Sequence, residues 1–306
     1  MMFLFAVFTE REVGSMERRS LWIGYLCVIL SAVLFGCMPL GARFLYAQGV
    51  TPMSLVLLRN LLSLPILALL GSRQGGLRIS RGALLEASAA SFFGCWLAPI
   101  LLFSSYRYLA SGMAAVFHFI YPILVVLSGY LLREKVKKGA LLCSLGILLL
   151  FDPHGAIDPV GVAFALTSGA AYAAYILVLG HFRHREVSGF RLSFYMSSVC
   201  AFCTLLLCLA TGQLGLPKTI GGWGAAFLFS LSLSVGAAVL FQAGTFRCGA
   251  QRAAILSTFE PLTSILVGIL FLDESLTPRI LLGSALTLLA GVLITTSGGK
   301  ESDGAE

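Results

Sequence analysis

Residues 253–273 read AAILSTFEPLTSILVGILFLD, and residues 114–134 read AAVFHFIYPILVVLSGYLLRE. In both, an Ala-Ala pair is followed after six residues by Pro, after six more by Gly and after four more by an acid. The markers are Ala253, Ala254, Pro261, Gly268 and Asp273 in one stretch and Ala114, Ala115, Pro122, Gly129 and Glu134 in the other. A generic apolar helix has no reason to hold these markers in one register twice, 139 residues apart, so the chain is read as a duplication. Each proline also removes a backbone donor, which predicts an interrupted helix in each copy with the carbonyls of His118 and Ser257 left without their usual partners.

The rest of the sequence says where such helices sit. The chain has 306 residues, of which 58% are hydrophobic and 11% charged, with a mean hydropathy of +0.92. Soluble domains carry about 25% charged residues, so this chain cannot cover itself with solvated groups and belongs in a lipid bilayer. Cutting at charge clusters, Gly and Pro predicts ten apolar spans: Trp22–Leu45, Met53–Leu70, Leu84–Tyr106, Ser111–Leu132, Gly139–Phe151, Pro159–His181, Phe190–Ala210, Gly222–Phe246, Gln251–Leu272 and Ile280–Thr296. The fifth is short and draws on Lys137 and Lys138 as snorkelling ends. With the N-terminus inside, sixteen Lys and Arg fall on inner segments and four on outer ones, which places both termini in the cytoplasm. The fold class expected is therefore an all-α integral membrane protein with ten transmembrane helices. Five spans per half is odd, so the halves form two inverted five-helix repeats, a construction of secondary transporters. The repeats cover 22–151 and 159–296, with cytoplasmic tails at 1–21 and 297–306. Met16, followed by Glu17, Arg18 and Arg19, is a candidate true start.

Glu260 stands about eleven residues into the ninth span, roughly 15 Å deep, where a carboxylate costs about 2.5–3.5 kcal/mol on insertion scales. It reads either as a coupling site for a proton or cation, or a counter-charge for a substrate amine, or as a protonated carboxyl bonded within the bundle. His118 either shuttles a proton or contacts substrate, or is a satisfied core group. Arg59 is read first as a structural charge that pairs with a carboxylate or carbonyl or snorkels outward. Gln242, Ser104 and Ser105 are candidate cavity polar groups. Trp96, Tyr121, Tyr172 and Tyr175 fall deep enough to line a cavity for an organic substrate, whereas Tyr106 and Tyr108 suit the interfacial belt. Small residues of the fifth and tenth spans suit close helix contacts or a homodimer surface.

Other functions lack their marks. The basic residues, net +7, are scattered rather than gathered on one face, so no nucleic-acid partner is expected. Cys200 and Cys203 form a C-x-x-C without a second ligand pair, and no metal or cofactor is expected. There is no phosphate loop, zinc-protease helix or nucleophile elbow, and the loops are short. The expectation is no enzyme, and transport driven by an ion gradient, by exchange or downhill. A channel or facilitator remains the alternative, and a membrane-embedded lipid-modifying enzyme a more distant one.

Phe35-Gly36, Thr51-Pro52 running to Arg59, Ala110 to Glu134, and Phe259-Glu260-Pro261 running to Asp273-Glu274 together resemble the paired EamA domains of the drug/metabolite transporter superfamily, over about residues 22–296. The resemblance implies a ten-helix carrier in the cell membrane with a central cavity, moving small organic solutes, often amino acids or metabolites, outward. Two departures stand out. The link between Glu134 and Gly139 is short, and Arg59 has no counterpart in the second half, where Tyr195 and Met196 occupy that region.

Overall fold

The computed structural model describes residues 15–105, 107–109, 114, 117–131, 158–184, 186–271 and four positions between 282 and 289. The fifth span, most of the tenth, both repeat acids (Glu134 and Asp273), Tyr106 and the segment before residue 15 lie outside the described residues. Among those described, every element is helical. Six stretches are long and apolar enough to cross a membrane: Ser20–Ala47, Pro52–Ser72, Arg81–Ser105, Pro159–Gly180, Gly189–Thr211 and Ile220–Cys248. They coincide, within a few residues, with the first, second, third, sixth, seventh and eighth spans read from the sequence.

Local chemistry explains where these helices begin and break. Thr51, Ser80, Asp158, Ser188 and Thr219 each accept a hydrogen bond from a backbone N–H of the helix they precede, and Pro52 and Pro159 occupy first-turn positions. The first span is two helices, α1 (Ser15–Gly36) and α2 (Met38–Ala47), because Pro39 has no N–H for the carbonyl of Phe35. The second divides likewise into α3 (Pro52–Leu61) and α4 (Leu64–Ser72), with Pro65 just inside the second piece. These two breaks add to those expected at Pro122 and Pro261.

The third and eighth spans share a rarer feature. Between α5 (Arg81–Ala90) and α6 (Ala98–Ser105), residues Ser91–Leu97 form a π-helical turn; between α10 (Ile220–Ser230) and α11 (Ala238–Cys248), Leu231–Ala237 do the same. Such widened turns are uncommon and recur at functional sites. Serine hydroxyls tie both ends to other spans. Ser91 donates to the carbonyl of Met196 (2.6 Å) and Ser230 to that of Arg59 (2.6 Å). Ser168 donates to the carbonyl of Ala98 (2.7 Å) and Ser31 to that of Ala237 (2.8 Å).

These bonds come in matched pairs. Ser31 and Ser168 are 137 residues apart, as are Arg59 and Met196; Ser91 and Ser230 are 139 apart, as are Ala98 and Ala237. The helix caps agree, since Thr51 and Ser188 differ by 137 and Ser80 and Thr219 by 139. The first two spans of one half thus correspond to the sixth and seventh at one offset, and the third and fourth to the eighth and ninth at the other. Met196 is thereby fixed as the counterpart of Arg59.

Packing follows the same correspondence. With α7 (Tyr121–Leu131), α8 (Pro159–Gly180), α9 (Gly189–Thr211), α12 (Ala250–Leu256) and α13 (Phe259–Phe271) in place, α1 lies on α11 and α13, while α8 lies on α6 and α7. Helix α9 lies on α3 and α4. The most extensive contacts therefore join one half to the other. In lipid such contacts draw on close backbone approach and interhelical hydrogen bonds rather than on burial from water.

Candidate functional site: a cavity between the two halves

One of the two proline breaks is better satisfied than the sequence implies. The carbonyl of Ser257 accepts from the N–H of Glu260 (2.9 Å), because the chain turns at Ser257-Thr258 and brings a donor three residues on into reach. The Ser257 hydroxyl bonds back to the carbonyl of Ala253 (2.6 Å). The expectation of a free carbonyl at Ser257 is thus corrected. The carbonyl of His118 is turned towards α8, where a Cβ on Gly169 would lie 2.4 Å from it. At the other break a Cβ on Gly36 would lie 2.7 Å from the carbonyl of Glu260 and 2.5 Å from Thr263 Cβ. Each break is thus covered by a neighbouring helix that approaches through a glycine.

Between the breaks lies a small cavity of about 60 Å³. Its wall repeats the internal correspondence. Phe35 and Met38 on one side are the counterparts, 137 residues earlier, of Tyr172 and Tyr175, and all four line the space. Pro99 and Ala238 are a further corresponding pair on the lining. The cavity therefore lies where the two halves meet.

Its chemistry comes from positions at which the copies differ. Arg59, only 6% exposed, reaches the lining where its counterpart Met196 does not. Glu260 reaches it from the other half, at the position corresponding to Tyr121. His118 lines it, with Ser257 as counterpart. Arg59 Nε is buried with no hydrogen-bond partner, and the Glu260 carboxylate has none among the described residues. The contact of His184 Nδ1 with Glu186 Oε1, at 3.2 Å, is elsewhere, in the loop before α9. An arginine and a glutamate thus face the same cavity without closing on each other. Neither snorkelling of Arg59 nor a Glu260 carboxyl bonded within the bundle is seen among the described residues.

An aromatic wall completes the site. The His118 ring lies 5.5 Å from Tyr121 and 5.4 Å from Tyr172, Tyr121 lies edge-on to Tyr172 at 4.8 Å, and Tyr175 stacks on Phe241 at 5.9 Å. Tyr121 is fully buried behind the lining. Other candidates stand off the cavity wall. Gln242 accepts from the hydroxyl of Ser193 (3.1 Å) and donates to Met196 Sδ (3.5 Å). Ser257 is tied back into its own helix, and Trp96 packs on the exposed Phe92 at 5.2 Å. Ser105 bonds locally to Leu102. Sequence reading missed Phe35, Met38 and Ser168. Their signal was the 137-residue offset, visible only once the serine bonds fixed it.

Cys200 is buried and donates to the carbonyl of Cys95 (3.1 Å), and among the described residues no group of His, Cys, Asp and Glu gathers as a metal site.

The duplicated helical scaffold thus brings Arg59 and Glu260 to one cavity at its centre. The chain belongs to the EamA-like transporter family, whose model matches it twice, at residues 22–151 and 159–296. It is 25% identical to the "Uncharacterized transporter YcbK" of Bacillus subtilis (strain 168), over 83% of this chain and 86% of that one. It is 26% identical to an "Uncharacterized transporter" of Synechocystis sp., over 92% and 97%. A solved crystal structure of a protein 18% identical in sequence superposes with a TM-score of 0.73, over 90% of this chain and 98% of that one, and shares the fold.

Proposed function

We propose that this transporter is a secondary carrier of small organic metabolites, amino acids and related zwitterions above all, exporting them across the cell membrane. The cavity would be exposed to each side in turn as two inverted five-helix repeats, 22–151 and 159–296, rock against one another with both termini in the cytoplasm. The observation that carries this reading is the pair Arg59 and Glu260, which face one cavity without forming an ion pair. Unpaired buried charges are costly in lipid, and a cargo bearing a carboxylate and an ammonium would neutralise both. Guanidinium suits a carboxylate because it offers two parallel donors. Glu260 would hold the ammonium, or a coupling proton or cation when the cavity is empty. The tyrosines and Phe35 offer ring faces to an apolar cargo body. Outward transport is the direction the superfamily resemblance implies.

Counterflow of radiolabelled amino acids and their singly charged analogues in proteoliposomes tests this. Zwitterions are expected to exchange faster than their esters or deaminated acids, and E260Q to lower the rate at least tenfold. Undiminished exchange in E260Q would remove Glu260 from the mechanism.

A further inference from the structure

The four serine–carbonyl bonds at the π-turns are alike in length and register, but one of the four serines does something more. Ser168 Oγ donates its single hydrogen to the carbonyl of Ala98 (2.7 Å), and His118 Nδ1 stands 2.9 Å from the same oxygen. A hydroxyl has one hydrogen and two lone pairs. With the hydrogen committed to Ala98, the contact with His118 requires the imidazole to be the donor. The neutral ring must then carry its proton on Nδ1, which leaves Nε2 as an acceptor. Nε2 is on the far edge of the ring, has no hydrogen-bond partner among the described residues, and is not among the buried orphan atoms. His118 lines the cavity, so this is the edge that opens onto it.

The corresponding serine in the other half, Ser31, makes the same bond to Ala237 but has no histidine to hold, because the residue corresponding to His118 is Ser257, bonded to Ala253. The structure thus contains its own control. Both serines tie a span of one half to the end of a π-turn, and only Ser168 also sets the state of a cavity group.

We infer that Ser168 is a positioning residue. By accepting from Nδ1 while donating to Ala98, it fixes His118 as the Nδ1–H tautomer and turns Nε2 to the cavity as a hydrogen-bond acceptor, so that bound cargo presents an N–H or O–H donor there. The part concerning cargo rests on the carrier reading above; the part concerning the tautomer does not.

The test is ¹⁵N NMR of the whole protein in nanodiscs with ring-labelled histidine, the His118 signals being assigned by their loss in H118Q. Wild type is expected to show a protonated Nδ1 and an unprotonated Nε2. S168A is expected to shift His118 towards the Nε2–H form, while S31A, which loses an equivalent serine–carbonyl bond, leaves it unchanged. An Nε2–H tautomer in wild type, or an S168A spectrum like wild type, would overturn the assignment. This readout needs no cargo, so its failure is distinct from failure of the carrier reading. For any solute that proteoliposomes do transport, S168A is expected to raise KM about tenfold with kcat little changed, and S31A is not. Equal KM effects in S168A and S31A would reduce Ser168 to a packing residue.

Discussion

Arg59 illustrates how a charge and a fold can be separated. Its position in the second half is held by Met196, whose backbone carbonyl accepts a serine hydroxyl just as that of Arg59 does. The scaffold therefore accommodates methionine there, and the guanidinium itself has a buried Nε without a partner. Replacing such a group by an apolar side chain of similar length is often neutral for stability. R59M is expected to leave thermal unfolding in detergent within a few degrees of wild type while reducing transport at least tenfold; a large fall in Tm would show that Arg59 is structural. Glu260 was legible in the sequence because a carboxylate next to proline, deep in an apolar run, is a purely local signal. The pairing with Arg59 across one cavity was not, because a lone arginine in a span looks the same whether it points at lipid or at a partner half a chain away. Trp96 and Gln242 show the converse. They lie at the right depth in the sequence, yet helix rotation turns them from the cavity, and a sequence depth carries no information about rotation.

Helix pairs here are set by small residues, and their costs can be ranked. A methyl group on Gly169 would meet the His118 carbonyl, which is backbone with little room to yield, at 2.4 Å and the Ile120 side chain at 2.8 Å. G169A is expected to destabilise by about 1–3 kcal/mol, whereas G224A, with no atom within 4 Å of its new Cβ, is expected to be neutral or slightly stabilising. Comparison of the two by thermal unfolding checks this. The serine bonds can be ranked as well. The carbonyl of Arg59 accepts from both Ser230 (2.6 Å) and Ser234 (3.0 Å), whereas that of Met196 accepts from Ser91. Losing an interhelical hydrogen bond in a membrane costs about 0.6–1.7 kcal/mol. S91A is therefore expected to cost more than S230A, and S230A with S234A more than the sum of the single changes. Additive costs would show that the second hydroxyl gives no cover. The sequence marks most of these helices clearly, through Thr-Pro and Asp-Pro starts and charge-bounded apolar runs. The π-turns left no comparable trace, since in matched register SFFGCWLA and SLSLSVGA share only their first and last residues and the widened turn is tied by hydroxyl bonds to distant spans.

Across the whole molecule, the duplication predicted from two 21-residue stretches is matched by corresponding caps, π-turns, serine bonds and cavity walls. Ten spans with both ends on one side would complete it, and cysteine labelling of residues added at each terminus in intact cells checks this: both are expected to be shielded from an impermeant reagent, and labelling of one alone would contradict the inverted arrangement. The order of packing was not legible, because apolar faces in lipid show no preference in sequence for one neighbour over another. α1 rests on α11 and α13, α8 on α6 and α7, and α9 on α3 and α4. Neither half keeps its best contacts to itself. A polypeptide of half this length would leave those faces bare until it met a second copy. Two copies joined in one chain are free to differ, and the walls of this cavity do, with an arginine on one and a glutamate on the other.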